Sequence, residues 1–423
     1  MITKRYETCR KEMLENLRRQ IDFTREVSDE EIQNMLDDMI VTNGRMYALS
    51  LEERQRLGRE IFYDIRRLGI LQELVDAEDI TEIMVNGAGN IFYEKRGSLY
   101  QWDKCFESKE KLEDVIQQIV NKCNRTVNEA SPIVDARLEN GSRVNIVLSP
   151  IALNGPIVTI RRFPNHPITM EQLIACESIS KEAAELLKQL VIAGYNIFIS
   201  GGTGSGKTTF LNALSQYIPK TERIITIEDS AELQIQGIPN LVSLETRNAN
   251  AEGVKEISIR DLIKTSLRMR PDRIIVGEVR GAEAIDMLQA LNTGHDGSLS
   301  TGHANSSKDM LSRLETMVLM GMELPLAAVR GQIASGVDMV VHLGRLRDKS
   351  RKVLEIAEII GYENGEIKTQ SLYQFEETGE EEGKIVGSLQ RKNSLLHTQK
   401  LLAAGISIHN EKDINKNNDV NKN

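Results

Sequence analysis

The stretch FISGGTGSGKTTF occupies Phe198–Phe210, near the middle of the chain. A short apolar run leads into Gly201, Gly202, Thr203, Gly204, Ser205 and Gly206, and then Lys207, Thr208 and Thr209. Four glycines so close together cost backbone entropy and need a reason. Their spacing is that of the phosphate loop G-x-x-x-x-G-K-[ST], running from Gly201 to Thr208. Without Cβ atoms, successive N–H groups can curl around phosphate oxygens. Lys207 is placed to reach the β- and γ-phosphates, and the Thr208 hydroxyl to reach magnesium. The flanks agree. YNIFIS (Tyr195–Ser200) reads as a buried strand. TTFLNALSQYI (Thr208–Ile218) reads as a helix whose N-terminal dipole favours an anion. A flexible glycine loop explains the glycines alone, but not the lysine, the threonine and both flanks together.

The loop sits in a chain of 423 residues, enough for two or three domains. With 40% hydrophobic and 27% charged residues, the composition is that of a soluble globular protein. The net charge of −9 argues against a surface devoted to nucleic-acid phosphates, so no direct nucleic-acid partner is expected. No apolar run approaches a membrane span, and the charged N-terminus MITKRYETCRKEMLENLRRQ lacks a signal-peptide core. A cytoplasmic location follows as the expectation, with any membrane contact made through a partner. Cys9, Cys105, Cys123 and Cys176 are far apart with no C-x-x-C pair, and read as reduced, buried thiols rather than a zinc site.

Around the loop the chain divides into segments. Residues 1–75 read as a helical region, with capping boxes at Ser28/Glu31 and Ser50/Glu53. Residues 76–163 mix strands such as TEIMVNG, SRVNIVLS and IVTIRRF with one helix, KLEDVIQQIVNKC, and form a small α/β domain. Residues 164–172 carry Pro164 and Pro167 and read as a linker. Residues 173–345 alternate strand and helix, which implies a parallel sheet covered on both faces. Residues 346–405 form a C-terminal extension of two or three strands, with EETGEEEG as a solvated acidic loop. The Asn/Lys/Asp-rich end, 406–423, reads as disordered.

Further candidates lie at strand ends of the loop domain, the edge where ligands bind in open α/β sheets. ERIITIEDSAEL brings Glu228, with Asp229 and Glu232 behind it. DRIIVGEVRG brings Glu278, but places Gly277 where loop nucleotidases usually carry a magnesium-binding Asp. Direct ligation from this strand is therefore not expected. Two roles stay open to Glu278: holding a magnesium-bound water, or polarising the attacking one. GHDGSLSTGHANS holds His295 and His303. A histidine there can sense the γ-phosphate, although on spacing alone capping of backbone carbonyls is the better reading.

Together these blocks resemble the secretion ATPase superfamily, which powers type II secretion, type IV secretion and pilus assembly. SGGTGSGKTT looks like its Walker A, TIEDSAEL its Asp box, RPDRIIVGEVRGAEA its Walker B and TGHDGSLSTGHANS its His box. Gly277-Glu278 is itself normal there. The run ETRNANAEGVKEISIRDLIKTSLRMRPDRIIVGEVRG is most similar to the CpaF/TadA branch, the ATPases of tight-adherence (Flp) pili, and zinc-binding cysteines of many type II enzymes are absent. The resemblance implies a RecA-like ATPase domain preceded by a small PAS-like α/β domain. It implies ATP and Mg2+ as ligands, a homohexameric ring, and a position under an inner-membrane platform protein. It assigns Glu228 to water activation and Glu278 to the magnesium side. It also matches Arg143, Arg161 and Arg162 to arginines that approach the phosphates. Neighbours on a strand face opposite sides, so which of Arg161 and Arg162 does so stays open. The rival readings are a type IV secretion or conjugation ATPase, a RecA-like nucleic-acid motor, a GTPase, for which no N-K-x-D exists, and a non-catalytic scaffold.

Overall fold

The computed structural model describes residues 4–406, apart from 23, 24, 26, 96, 124, 163–166 and 248–254. Pro164 and the C-terminal tail beyond 406 thus lie outside the described residues. The chain forms two compact units, Met1–Asn165 and His166–Asn423.

The first unit opens with α1 (Lys4–Gln20), α2 (Asp29–Met46) and α3 (Leu51–Arg66). Ser28 and Ser50 accept from the N–H groups of Glu31 and Glu53, whose carboxylates return the bond, so both capping boxes form. The three helices bury Met13, Leu17, Leu36, Leu57 and Ile61 in a core of their own. After α4 (Leu71–Asp76) come β1 (Ile80–Asn86), β2 (Ile91–Lys95), β3 (Ser98–Gln101), α5 (Lys109–Lys122), β4 (Ile133–Arg137), β5 (Arg143–Val147) and β6 (Ile157–Arg161). The strands pair antiparallel in the order β3-β2-β1-β6-β5-β4. Leu112, Ile116, Ile119 and Val120 recur at helical spacing along α5 and pack with Val144, Ile146, Val158 and Ile160, which alternate along β5 and β6. Arg143 and Arg161 occupy the intervening positions of the same two strands and pair directly across them.

The second unit runs α6 (Met170–Ala175), α7 (Lys181–Ile192), β7 (Ile197–Gly201), α8 (Lys207–Ser215), β8 (Ile224–Glu228), β9 (Leu241–Glu245), α9 (Ile259–Ser266), β10 (Arg273–Val276), α10 (Ala284–Leu291), β11 (Leu299–Gly302), α11 (Ser307–Gly321), α12 (Leu326–Gly336) and β12 (Met339–Arg345). Six strands pair parallel in the order β12-β7-β11-β10-β8-β9. Their alternation sorts side chains to two faces. Ile197, Ile199, Ile275 and Val341 join α7 and α8 in one core, while Phe198, Ile227, Ile274 and Val340 join α10–α12 in the other. Strands buried on both faces read as the continuous apolar runs seen in the sequence.

Three antiparallel strands extend this sheet: β13 (Arg351–Glu363), β14 (Glu366–Glu381) and β15 (Lys384–Arg391), before α13 (Gln399–Ala403). The acidic stretch expected as a loop is strand instead. Glu376–Glu381 completes β14 against β15, and Arg347 binds both Glu377 and Glu380, which offsets their crowding. The cysteines also depart from expectation: Cys9 is buried, Cys123 half-buried, and Cys105 and Cys176 are exposed.

Candidate functional site

Parallel pairing sets the C-terminal ends of the six strands β7–β12 along one edge. β7 delivers the glycine loop there, and Gly206 caps α8 with φ +94°, a conformation costly for residues with a Cβ. Lys207 is buried, and its Nζ donates to the carbonyls of Gly201 (3.1 Å) and Gly202 (3.0 Å). Ser205 Oγ donates to Gly202 O at 2.9 Å. Thr208 and Thr209 are half-buried on the first turn of α8.

β11 brings His303 to the same point. Lys207 Nζ lies 3.3 Å from His303 Nδ1. An ammonium can only donate, so Nδ1 accepts and Nε2 carries the proton. That Nε2 lies 2.8 Å from Glu278 Oε1. Burial and the Lys207 charge push the His303 pKa down despite Glu278, which keeps the ring neutral. Glu278, just beyond β10, also takes Arg280 Nη2 at 2.7 Å on its other oxygen. Burial raises its pKa, but the Arg280 hydrogen bond and charge, with His303 and Lys207, hold it below the usual carboxylate value. Arg280 reaches on to Asp229 Oδ2 at 3.4 Å. Lys207, His303, Glu278, Arg280 and Asp229 thus form one chain linking four strand ends.

Glu228 stands apart from that chain. Its side chain is 4% exposed, and Oε1 accepts the N–H groups of Glu232 (2.8 Å) and Leu233 (2.9 Å). Burial outweighs those two bonds and pushes its pKa up to about 7. The reason for Gly277 lies here: a Cβ on it would come 2.8 Å from Glu228 Cγ and 3.1 Å from Oε1. An Asp at 277 and this Glu228 rotamer cannot coexist.

Two sequence candidates are engaged with backbone carbonyls. His295 precedes β11 and lies at the sheet edge opposite the loop, where Nδ1 meets Ala290 O at 3.2 Å. It caps the end of α10, and the fold of this chain does not bring it to Lys207. In the first unit, Arg162 donates to the carbonyls of Ala77 and Ile80 (3.1 Å to the latter) and is half-buried. Arg161 shares its face with Arg143, whose Nη2 lies 3.4 Å from Asp135 Oδ1. Sequence reasoning missed Arg280 as a site residue, although its place two residues after Glu278 was a signal. It also missed Arg351, whose Nε donates to Gly204 O at 2.8 Å.

Magnesium chemistry fits the oxygen donors present. Mg2+ keeps several waters and substrate phosphates and needs only one or two protein oxygens. Thr208 supplies a hydroxyl. Glu278 Oε2 is taken by Arg280, while Oε1, beside His303, is buried without a hydrogen-bond donor aligned on it among the described residues, which suits a role through water. Among the described residues no group of three His, Cys, Asp or Glu forms a metal site, and no helix is long and apolar enough to cross a membrane.

Comparison with known proteins places these features in one family. The family described as "Type II/IV secretion system protein" matches residues 65–405. A putative conjugal transfer protein of Mycobacterium tuberculosis is 36% identical over 295 residues, covering 68% of this chain and 83% of that protein. Conjugal transfer protein TrbB of Rhizobium radiobacter is 33% identical over 307 residues, covering 72% of this chain and 91% of that protein. The X-ray structure of the Yersinia pseudotuberculosis ATPase DotB shares the fold, with TM-score 0.50 at 18% identity over 70% of this chain and 78% of that chain.

Proposed function

The chain belongs to the family of type II/IV secretion system proteins, and we propose that it is a Mg2+-dependent ATP hydrolase that powers export or pilus assembly. The observation that carries the reading is the convergence of Lys207, His303, Glu278 and the buried Glu228 at one sheet edge. In this reading the loop from Gly201 to Thr209 binds the triphosphate, and Thr208, with Glu278 through water, holds magnesium. The metal would neutralise charge on the transferred phosphoryl group. Glu228 takes the proton of the attacking water: a carboxylate tuned to about 7 is matched to proton transfer at neutral pH. His303, lying between Lys207 and Glu278, reports the state of the phosphate end to β10. Arg143 and Arg161 supply late positive charge to the triphosphate. Arg162, committed to backbone carbonyls, does not.

The work done is that of a homohexamer acting on an inner-membrane platform protein from the cytoplasmic side. The motif run from Glu245 to Gly281 supports tight-adherence pilus assembly. The names of the two relatives, both conjugal transfer proteins, support a type IV secretion or conjugation role. Phosphate release from ATP by the purified chain, with and without Mg2+, tests the core of the reading. Wild type should turn over and Lys207→Ala should lose nucleotide affinity, since it removes a charge-assisted phosphate contact. Absence of hydrolysis at every ring-forming concentration would reduce the chain to a nucleotide-gated scaffold.

A further inference from the structure

β12 and β13 form a hairpin beside the glycine loop, and its paired ends are both arginines. Arg345 stands directly opposite Arg351. Like charges facing each other across a ladder are destabilising. The carboxylates around the hairpin, from its turn and from β14, are spent elsewhere. Glu377 and Glu380 bind Arg347 at its tip, and Asp348 binds Ser350 and the N–H of Ile385. Among the described residues no carboxylate pairs with Arg345 or Arg351. Both sit against the loop. Arg351 Nε donates to Gly204 O at 2.8 Å, and its Cδ lies 3.4 Å from where a Cβ on Gly206 would be. Arg345 Nη1 lies 3.9 Å from the corresponding point on Gly204. Two uncompensated cations therefore flank a backbone shaped for phosphate.

Sheet order says which part of a nucleotide they would meet. Glu228, Glu278 and His303 end β8, β10 and β11, all on one side of β7, while the hairpin lies on the other. The phosphate that is attacked must point to the glutamates, so the rest of the nucleotide passes over the hairpin side. We propose that Arg345 and Arg351 are a second arginine pair of the nucleotide site, acting on the phosphates common to ADP and ATP. Arg345 contacts them directly. Arg351 is a positioning residue. By holding the Gly204 carbonyl it fixes that peptide plane, and with it the direction of the Ser205 N–H on the opposite side.

The inference rests on the nucleotide reading above, and ADP binding separates the two. Mg-ADP affinity of the full chain is measured by calorimetry for wild type, Arg345→Ala, Arg345→Lys, Arg351→Ala and Arg347→Ala. Arg345→Ala and Arg351→Ala should each weaken ADP roughly tenfold, the scale of one lost charge-assisted bond. Arg345→Lys should recover part of the loss, and Arg347→Ala should bind as wild type. In turnover, the two alanine variants should raise KM with kcat little changed, the mark of contacts equal in ground and transition states. Wild-type ADP affinity in both alanine variants overturns the pair while leaving the nucleotide reading intact. An equal loss in Arg347→Ala also overturns it, by showing that hairpin folding alone is being measured. No ADP binding by wild type brings down both.

Discussion

Glu228 and Glu278 end neighbouring parallel strands, with Ile227 and Val276 in register, yet they are tuned in opposite directions. Among the described residues Glu228 has no cation in contact and takes two backbone N–H groups, and burial carries its pKa to about 7. Glu278 is half-buried, and although burial raises its pKa, Arg280, His303 and Lys207 more than cancel the effect and hold it low. One residue type at one sheet edge thus becomes two instruments. A carboxylate that is easily protonated can take a proton from water; one that stays charged can order cations and their waters. Gly277 keeps the two apart, because any side chain there would displace Glu228.

The largest break in this comparison is Glu228→Gln. The amide keeps the bonds from Glu232 and Leu233 but cannot accept a proton, so turnover should fall by about a hundredfold or more with ATP affinity retained. Phosphate release and nucleotide titration on the same sample check it. Turnover within about threefold of wild type would assign the base elsewhere. Gly277→Ala should come next, losing roughly tenfold or more although it touches no ligand, because its Cβ pushes Glu228 off position. Unchanged kcat in that variant would mean that the Glu228 rotamer is not used in catalysis.

The pH profile sharpens the contrast further. A base with a pKa raised to about 7 is protonated below it, so kcat should climb with pH and level off above about 7. Glu278→Gln should lower the plateau and leave that midpoint nearly in place, since its own carboxylate is charged throughout the range. A wild-type midpoint in the ordinary carboxylate range would shift the proton-accepting role away from Glu228.

How much of this was legible beforehand depended on whether the interaction was local in sequence. The loop was legible because its glycines, Lys207 and Thr208 are contiguous. The helical caps were legible for the same reason, since Ser28 meets Glu31 within one turn. Glu228 and Glu278 could be placed at strand ends, but nothing nearby shows that one meets only backbone and the other a lysine–histidine–arginine chain. His295 and His303 look alike as G-H pairs, and only strand direction sends them to opposite edges. Arg345 and Arg351 meet through hairpin register, and Arg161 separates from Arg162 through the carbonyls of Ala77 and Ile80. The stretch from Glu376 to Glu381 was misread because strand pairing with β15 overrides its acidic composition.

The smallest expected effect is on stability, and its sign differs between the two glutamates. Folded Glu228 holds its proton from the ordinary carboxylate range up to about pH 7, where the unfolded chain has already lost it. The folded state binds more protons across that window, so stability falls as pH rises through it. Above it the charged, buried group costs on the order of 3 kcal/mol. Glu228→Gln carries no charge to bury and should melt a few degrees higher than wild type at pH 8, with the difference closing near pH 4.5. Glu278 runs the other way. Its lowered pKa contributes stability above the ordinary carboxylate value, which is lost as pH falls through the folded one, so Glu278→Gln should melt lower than wild type at pH 8. Thermal melts of both variants at pH 8 and near pH 4.5 decide it. A destabilised Glu228→Gln at pH 8 would mean that its two backbone bonds outweigh burial, and that the residue is held charged for structure rather than tuned for proton transfer.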